Sequence, residues 1–154
     1  MVFKIEHRDL FSVPKDYSLV HCISADFALG AGIAKEFTKR GVKRELLRRY
    51  GDYANSSVWV GKALDTHATD WNWEYNLVTK EHYWGKPNYV TLEMCLINLR
   101  DVHVNHNEHL APKLAMPWLG CGLDKLERWK VEVLIKDVFK NCDVEILICD
   151  WGLI

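Results

Sequence analysis

Two glycine-bearing segments, Leu29–Ala34 and Gly120–Asp124, have the residue types to hold an anion with backbone alone. The first reads Leu29, Gly30, Ala31, Gly32, Ile33, Ala34, between a compact apolar run and a helical pattern. Glycine lets the chain approach a ligand closely and adopt φ > 0. A helix that begins there offers free N–H groups and the positive end of its dipole. A pyrophosphate asks for that combination. Alone, the segment reads equally as a tight strand-to-helix turn without a ligand, or as a shortened dinucleotide fingerprint. The second segment follows a short apolar run ending in Met116, Pro117, Trp118 and Leu119, then reads Gly120, Cys121, Gly122, Leu123, Asp124. Two such loops on so small a chain could clasp one diphosphate from both sides. A dinucleotide domain would instead carry an acidic residue about 20 positions beyond its glycines. Here that stretch is helical in pattern and basic, with Lys43, Arg44, Arg48 and Arg49.

Ionisable residues flank these loops. Lys80 ends an apolar run, after Leu77, Val78 and Thr79. A lysine at a sheet's edge, partly desolvated, can offer a free lone pair to a carbonyl-type carbon, although most such lysines are simply solvated. Asp124 is suited to capping a helix, and equally to proton transfer beside a lysine. Asp9 reads as a turn or cap residue. Ser24 reads as a turn serine serving local backbone. Trp151 is either a core cover or an aromatic face for a ligand. Cys121, inside the second loop, has no evident paired base and is not expected to be a nucleophile. His103, His106 and His109 recur at every third position, whereas tight metal sites use i, i+4 pairs or cysteine partners. They read as a helix end and solvated loop, so no metal is expected.

The elements that must position these residues follow from periodicity. Val2–Glu6 and Ser18–Ile23 read as strands, the second more buried. Ile33 and Phe37 begin a helix that Gly41 interrupts and that Val42, Leu46, Leu47 and Tyr50 continue. Ser57–Gly61 and Trp73–Thr79 read as strands, with Lys62–Asn72 a hairpin loop between them. Asn88 is a candidate N-cap for a helix carrying Leu92, Leu96, Leu99 and His103 on one stripe. Leu114–Pro117 is a short strand, Trp129–Lys140 the clearest helix, and Val144–Asp150 a last strand. The alternation predicts an α/β fold with a mixed sheet of about six strands flanked by helices. Open sheets of this kind place ligands at the carboxyl ends of their strands, where both glycine loops fall.

The chain has 154 residues, 49% apolar and 27% charged, the size and composition of a single globular domain, 1–154. Its net charge of −1 disfavours a surface that tracks a nucleic-acid backbone. The basic run Lys35–Arg49 reads as a solvated helix face, or as contact with an acidic partner. No apolar run is long enough to span a membrane, and the first residues lack the pattern of a signal peptide. Five cysteines, Cys22, Cys95, Cys121, Cys142 and Cys149, form no CxxC. All but Cys121 lie in apolar surroundings, which predicts buried free thiols and a cytoplasmic location, with the nucleus as the alternative.

In chain order, His21–Asp26, Leu29–Ala34, Leu77–Lys80, Lys86–Tyr89 and Met116–Asp124 resemble macrodomains, nearest the terminal ADP-ribose protein glycohydrolase branch and the related antitoxins that remove ADP-ribose from DNA. The resemblance spans nearly the whole chain. The pairing of a strand-end Thr79–Lys80 with Gly120–Asp124 is specific to that branch. It implies a three-layer fold that binds ADP-ribose and hydrolyses its linkage to acidic side chains, O-acyl groups or nucleobases, without a cofactor. It implies a monomer whose partners are ADP-ribose and an ADP-ribosylated protein or nucleic acid. Lys80 would attack the anomeric carbon of the distal ribose, and Asp124 would act as acid/base. Asp9, with the Leu10 backbone, would meet adenine, with Trp151 packing on it. Ser24, Gly30, Ala31, Gly32 and Ile33 would contact the ligand, as would Trp118, Leu119, Gly120, Cys121, Gly122 and Leu123. Two departures stand out. Arg8 replaces the usual glycine before Asp9, and Trp118 replaces a long basic residue, where it could lie over the ligand as a lid. The rival readings are a module that only binds ADP-ribose, a phosphatase acting on ADP-ribose 1″-phosphate, and a nicotinamide-dinucleotide protein.

Overall fold

The computed structural model describes residues 1–53, 57–105, 112–122 and 125–152. Six strands form one sheet: β1 (Val2–Glu6), β2 (Ser18–Ser24), β3 (Ala63–Thr66), β4 (Glu74–Lys80), β5 (Lys113–Met116) and β6 (Glu145–Cys149). Their spatial order is β1-β6-β5-β2-β4-β3. Every pairing is parallel except that of β3 with β4. Helices α1 (Ile33–Lys39) and α2 (Val42–Tyr50) cover one face. Helices α3 (Tyr89–Asn98) and α4 (Arg128–Phe139) cover the other. The result is the expected three-layer α/β architecture.

Each layer follows from its residues. The central strands are buried on both faces, so they read as continuous apolar runs: Leu19, Val20, Leu77, Val78, Leu114, Ile146 and Ile148 are all fully enclosed. Burying each such side chain contributes roughly 1.5–3 kcal/mol. On α4, Val131, Ile135, Val138 and Phe139 form the buried stripe. On α3, Asn88 is the N-cap and forms a capping box with Thr91. Gly41 does part α1 from α2, at φ 92°, a conformation that suits glycine.

Two expectations need correction. Ser57–Gly61 is not a strand, because Ser57–Trp59 is a 3-10 turn. Strand β3 lies instead within the stretch read as a loop. Pairing with β4 begins only where the Gly61 N–H donates to the Val78 carbonyl, at 2.8 Å, and before it Trp59 and Val60 pack against the core while Val58 is exposed. His103 stands at a helix end, as expected, and is half-buried. The end of α3 widens into a π-type turn over Leu99–Val104, and the His103 ring meets the Ala63 carbonyl at 3.2 Å. His106 and His109 lie outside the described residues.

Candidate active site

Strands β2, β4 and β5 run parallel side by side, so their carboxyl ends share one edge of the sheet. A cavity of about 650 Å³ opens there. Ser24 lines it from the end of β2, Gly30, Ala31 and Ile33 from the first loop, Lys80 from β4, and Leu119, Gly120 and Gly122 from the second loop. The two glycine segments and Lys80 therefore share one site, although they lie far apart in the chain.

The first loop is held by side chains rather than by a ladder. Phe27 and Leu29 adopt left-handed backbone, at φ 52° and 45°. Each such residue costs about 1–2 kcal/mol. Burial offsets it, since Phe27 is 0% and Leu29 4% exposed. The Thr38 hydroxyl donates to the Leu29 carbonyl at 2.9 Å, and the Lys43 ammonium to the Ala28 carbonyl at 3.1 Å. The basic run is thus only partly a solvated face, because Lys43 braces the loop. Gly32 is the N-cap of α1 and makes no side-chain capping bond.

Lys80 owes its position to an irregularity. Ile23 pairs with Val78, but Ser24 pairs with Lys80, so Thr79 is an extra residue in β4. Such a bulge bends the strand and re-aims its side chains. Strict alternation would send Thr79 and Lys80 to opposite faces. Here both line the cavity, Lys80 half-buried. The Thr79 hydroxyl is buried and has no hydrogen-bond partner among the described residues.

The second loop turns at Gly120, at φ 71°, and closes where the Leu126 N–H donates to the Gly120 carbonyl at 2.8 Å. Cys121 is half-buried beside it. Burial pushes its thiol up to about 11, against the pull of Arg128. Helix α4 starts only at Arg128, so Cys121 is not in its first turn. Leu123 and Asp124 lie outside the described residues. The N-cap of α4 is Glu127, so that role does not fall to Asp124.

Other expected residues stand elsewhere. Trp118 is no lid: it is 5% exposed, packed into the core beside α3 and α4, and absent from the cavity wall. Its large apolar ring gains more from the core than from covering the site. Leu10 is buried and Asp9 caps a 3-10 turn, its carboxylate accepting from the Phe11 N–H at 2.9 Å. Arg8 folds over that turn and donates to the Ser12 carbonyl at 2.7 Å. Trp151 is 43% exposed and lies against His7, ring centroids 4.9 Å apart. Asp9, Leu10 and Trp151 follow β1 and β6 at the same sheet edge but outside the cavity wall. None of the five cysteines is in a disulfide; Cys22 and Cys121 are only half-buried, and Cys22 lies on the cavity wall.

Sequence reasoning missed the third wall. Tyr83, Trp84, Gly85 and Lys86 follow Lys80 and complete the cavity. Their signal was available, since whatever follows a strand-end Lys80 must leave from the same edge. It also missed Asp26, which accepts hydrogen bonds from the Ser24 hydroxyl at 2.5 Å, the Ala28 N–H at 3.1 Å and the Tyr83 N–H at 2.8 Å. Partial burial would raise this carboxyl, but those bonds and nearby His82 outweigh it and hold it below the usual carboxylate range.

No protein-family profile matches the sequence. It is 38% identical over 141 residues to the human ADP-ribose glycohydrolase OARD1, covering 91% of this chain and 86% of that protein. The bovine ADP-ribose glycohydrolase OARD1 aligns with the same identity and coverage. Among solved structures, the macrodomain of Mycobacterium tuberculosis DarG superposes with a TM-score of 0.81 at 23% identity, over 97% of both chains. Thermosipho africanus DarTG in complex with ADP-ribose superposes at 0.73 and 18% identity, over 96% of this chain and 41% of that one. The three-layer fold, the two glycine loops on one sheet edge and the match to OARD1 over 91% of the chain agree: this chain belongs to the macrodomain family, in the branch that includes the ADP-ribose glycohydrolase OARD1.

Proposed function

We propose that this chain binds ADP-ribose at the sheet edge and hydrolyses its linkage to acidic side chains, with O-acyl and nucleobase-linked ADP-ribose as further substrates. The observation that carries the reading is Lys80, brought by the β4 bulge into the cavity that both glycine loops line. Backbone N–H groups of the loops hold the diphosphate. Asp9, the Leu10 backbone and Trp151 receive adenine beyond the cavity, at the ends of β1 and β6. The Lys80 lone pair attacks the anomeric carbon of the distal ribose and forms a C–N bond as the C–O bond breaks. The carboxylate departs with the bonding pair. Asp124 then activates water against the lysine adduct, which releases ADP-ribose and restores the amine. We further take the protein to work as a monomer, and in the cytoplasm or nucleus, the compartment being supported by five cysteines that form no disulfide.

The test is turnover of an ADP-ribosylated glutamate peptide, beside calorimetric binding of ADP-ribose. Lys80→Ala and Asp124→Ala are expected to lose about a hundredfold or more in kcat while each still binds ADP-ribose. Full turnover by both variants, with binding intact, sinks the mechanism. Serine, thymidine, O-acetyl and 1″-phosphate linkages in the same panel define the range of leaving groups. Tight binding without release from any of them would indicate a module that only binds ADP-ribose.

A further inference from the structure

We infer that Asp26 is a positioning residue whose carboxylate ties the diphosphate loop to the segment after Lys80, so that filling the loop sets the wall beside the nucleophile. The inference rests on the proposed function for its kinetic consequence. It comes from one side chain that bridges two parts of the cavity. Oδ1 receives the Ser24 hydroxyl and the Ala28 N–H, both from the exit of β2. Oδ2 receives the Tyr83 N–H, 57 residues away in sequence. A second strut runs parallel, where the Ala25 N–H donates to the Lys80 carbonyl at 2.9 Å. The loop that leaves from these two struts carries two left-handed non-glycine residues, Phe27 and Leu29. A loop held in so unusual a shape transmits movement to whatever fixes it. Asp26 is what joins it to Tyr83, Trp84, Gly85 and Lys86 on the opposite wall.

Acceptor chemistry explains the choice of aspartate. An ionised carboxylate offers two acceptors, and all three donors use them. Asparagine would present an NH2 group to at least one N–H and break one arm. The Ser24 hydroxyl is committed to this carboxylate, so its first duty is to the clamp.

The test isolates the Tyr83 N–H. The Gly85 N–H donates to the His82 carbonyl at 2.9 Å, which puts Tyr83 second in a four-residue turn, a position that accepts proline. Tyr83→Pro removes both ring and N–H, while Tyr83→Ala removes only the ring. Turnover of ADP-ribosylated glutamate peptide is expected to fall about tenfold in kcat in the proline variant relative to the alanine variant, with KM within about threefold. Asp26→Asn should show a similar kcat loss, and adding Tyr83→Pro to it should cost less than about twofold more, as for two ends of one bond. Amide exchange supplies a readout independent of chemistry. ADP-ribose should slow exchange at Trp84–Lys86 in Tyr83→Ala but not in Tyr83→Pro. Equal kcat in the two Tyr83 variants, or equal slowing by ADP-ribose in both, overturns the coupling. If the wild-type protein hydrolyses no linkage yet the exchange difference appears, the proposed function falls and the clamp stands.

Discussion

Gly30 and Gly120, one from each glycine loop, meet opposite demands, and a pair of alanine substitutions separates them. At Gly120 the backbone sits at φ 71°, and an added Cβ would lie 2.6 Å from Leu126 Cδ1 and 3.2 Å from its Cγ. Left-handed backbone costs an L-residue about 1–2 kcal/mol. Moving Leu126 off its rotamer adds about 0.5–1.5 kcal/mol. Reduced freedom of the unfolded chain returns about 0.4–1 kcal/mol. The net is a destabilisation of about 0.5–3 kcal/mol, with Tm lower by roughly 2–4 °C for each kcal/mol in a chain of this size. At Gly30 the added Cβ would meet only the Ala28 carbonyl oxygen, at 3.9 Å, without backbone strain. Gly30→Ala should therefore leave stability unchanged or raise it slightly. Its cost should appear in ADP-ribose affinity, because a methyl there obstructs close approach of backbone to diphosphate. Thermal melts with and without ADP-ribose, plus calorimetry, separate the two effects. A Gly120→Ala protein as stable as the parent refutes the strain reasoning. A Gly30→Ala protein with undiminished affinity refutes the cradle.

Two further predictions concern groups away from the reacting atoms. His21 is fully buried, stacked on Phe37, and bonded through Nε2 to the Asn76 side-chain oxygen at 2.6 Å. Burial lowers its pKa from 6.5 to about 4, with the Asn76 bond opposing. The unfolded chain therefore takes up the proton first as pH falls. The resulting stability loss begins near pH 6.5, reaches about 3 kcal/mol by pH 4 and is absent at higher pH. Urea midpoints across that window should show the slope, and His21→Gln should remove it; equal slopes in both proteins would exclude His21 as its source. Cys121, its thiol held neutral by burial, should react slowly with alkylating agents at pH 7, and Cys121→Ala should keep turnover within about threefold. Rapid alkylation that abolishes turnover would return it to the list of nucleophiles.

Much of the fold was legible because its cues are local. The stripe Val131, Ile135, Val138 and Phe139 makes α4 readable, and Asn88 marks the start of α3. Strand β3 was not legible. It is four residues long and contains Asp65, and its identity depends on pairing with β4. Trp118 misled for a related reason: its neighbours in sequence suggested a loop lid, whereas its neighbours in space are core. The glycine loops announced themselves by composition. Asp26 did not, because it looks like any turn aspartate until Tyr83 arrives from the end of another strand.

The same distinction explains how Lys80 becomes available to the cavity. Composition places a lysine at the end of an apolar strand, and most such lysines face solvent. What changes its surroundings is the slip in register that pairs Ser24 with Lys80 and leaves Thr79 unmatched. That slip has no residue signature, since neither glycine nor proline stands at 78–80. The contacts around it supply a cause. The Ala25 N–H donates to the Lys80 carbonyl, and the Asp26 carboxylate accepts from the Tyr83 N–H, so the ends of β2 and β4 are drawn together one residue out of step. The first glycine loop, proposed to cradle the diphosphate, and the bulge that brings Lys80 to the cavity are consequently parts of one hydrogen-bonded unit. Substitutions that disturb either should be felt at both, even where they touch neither ligand nor Lys80.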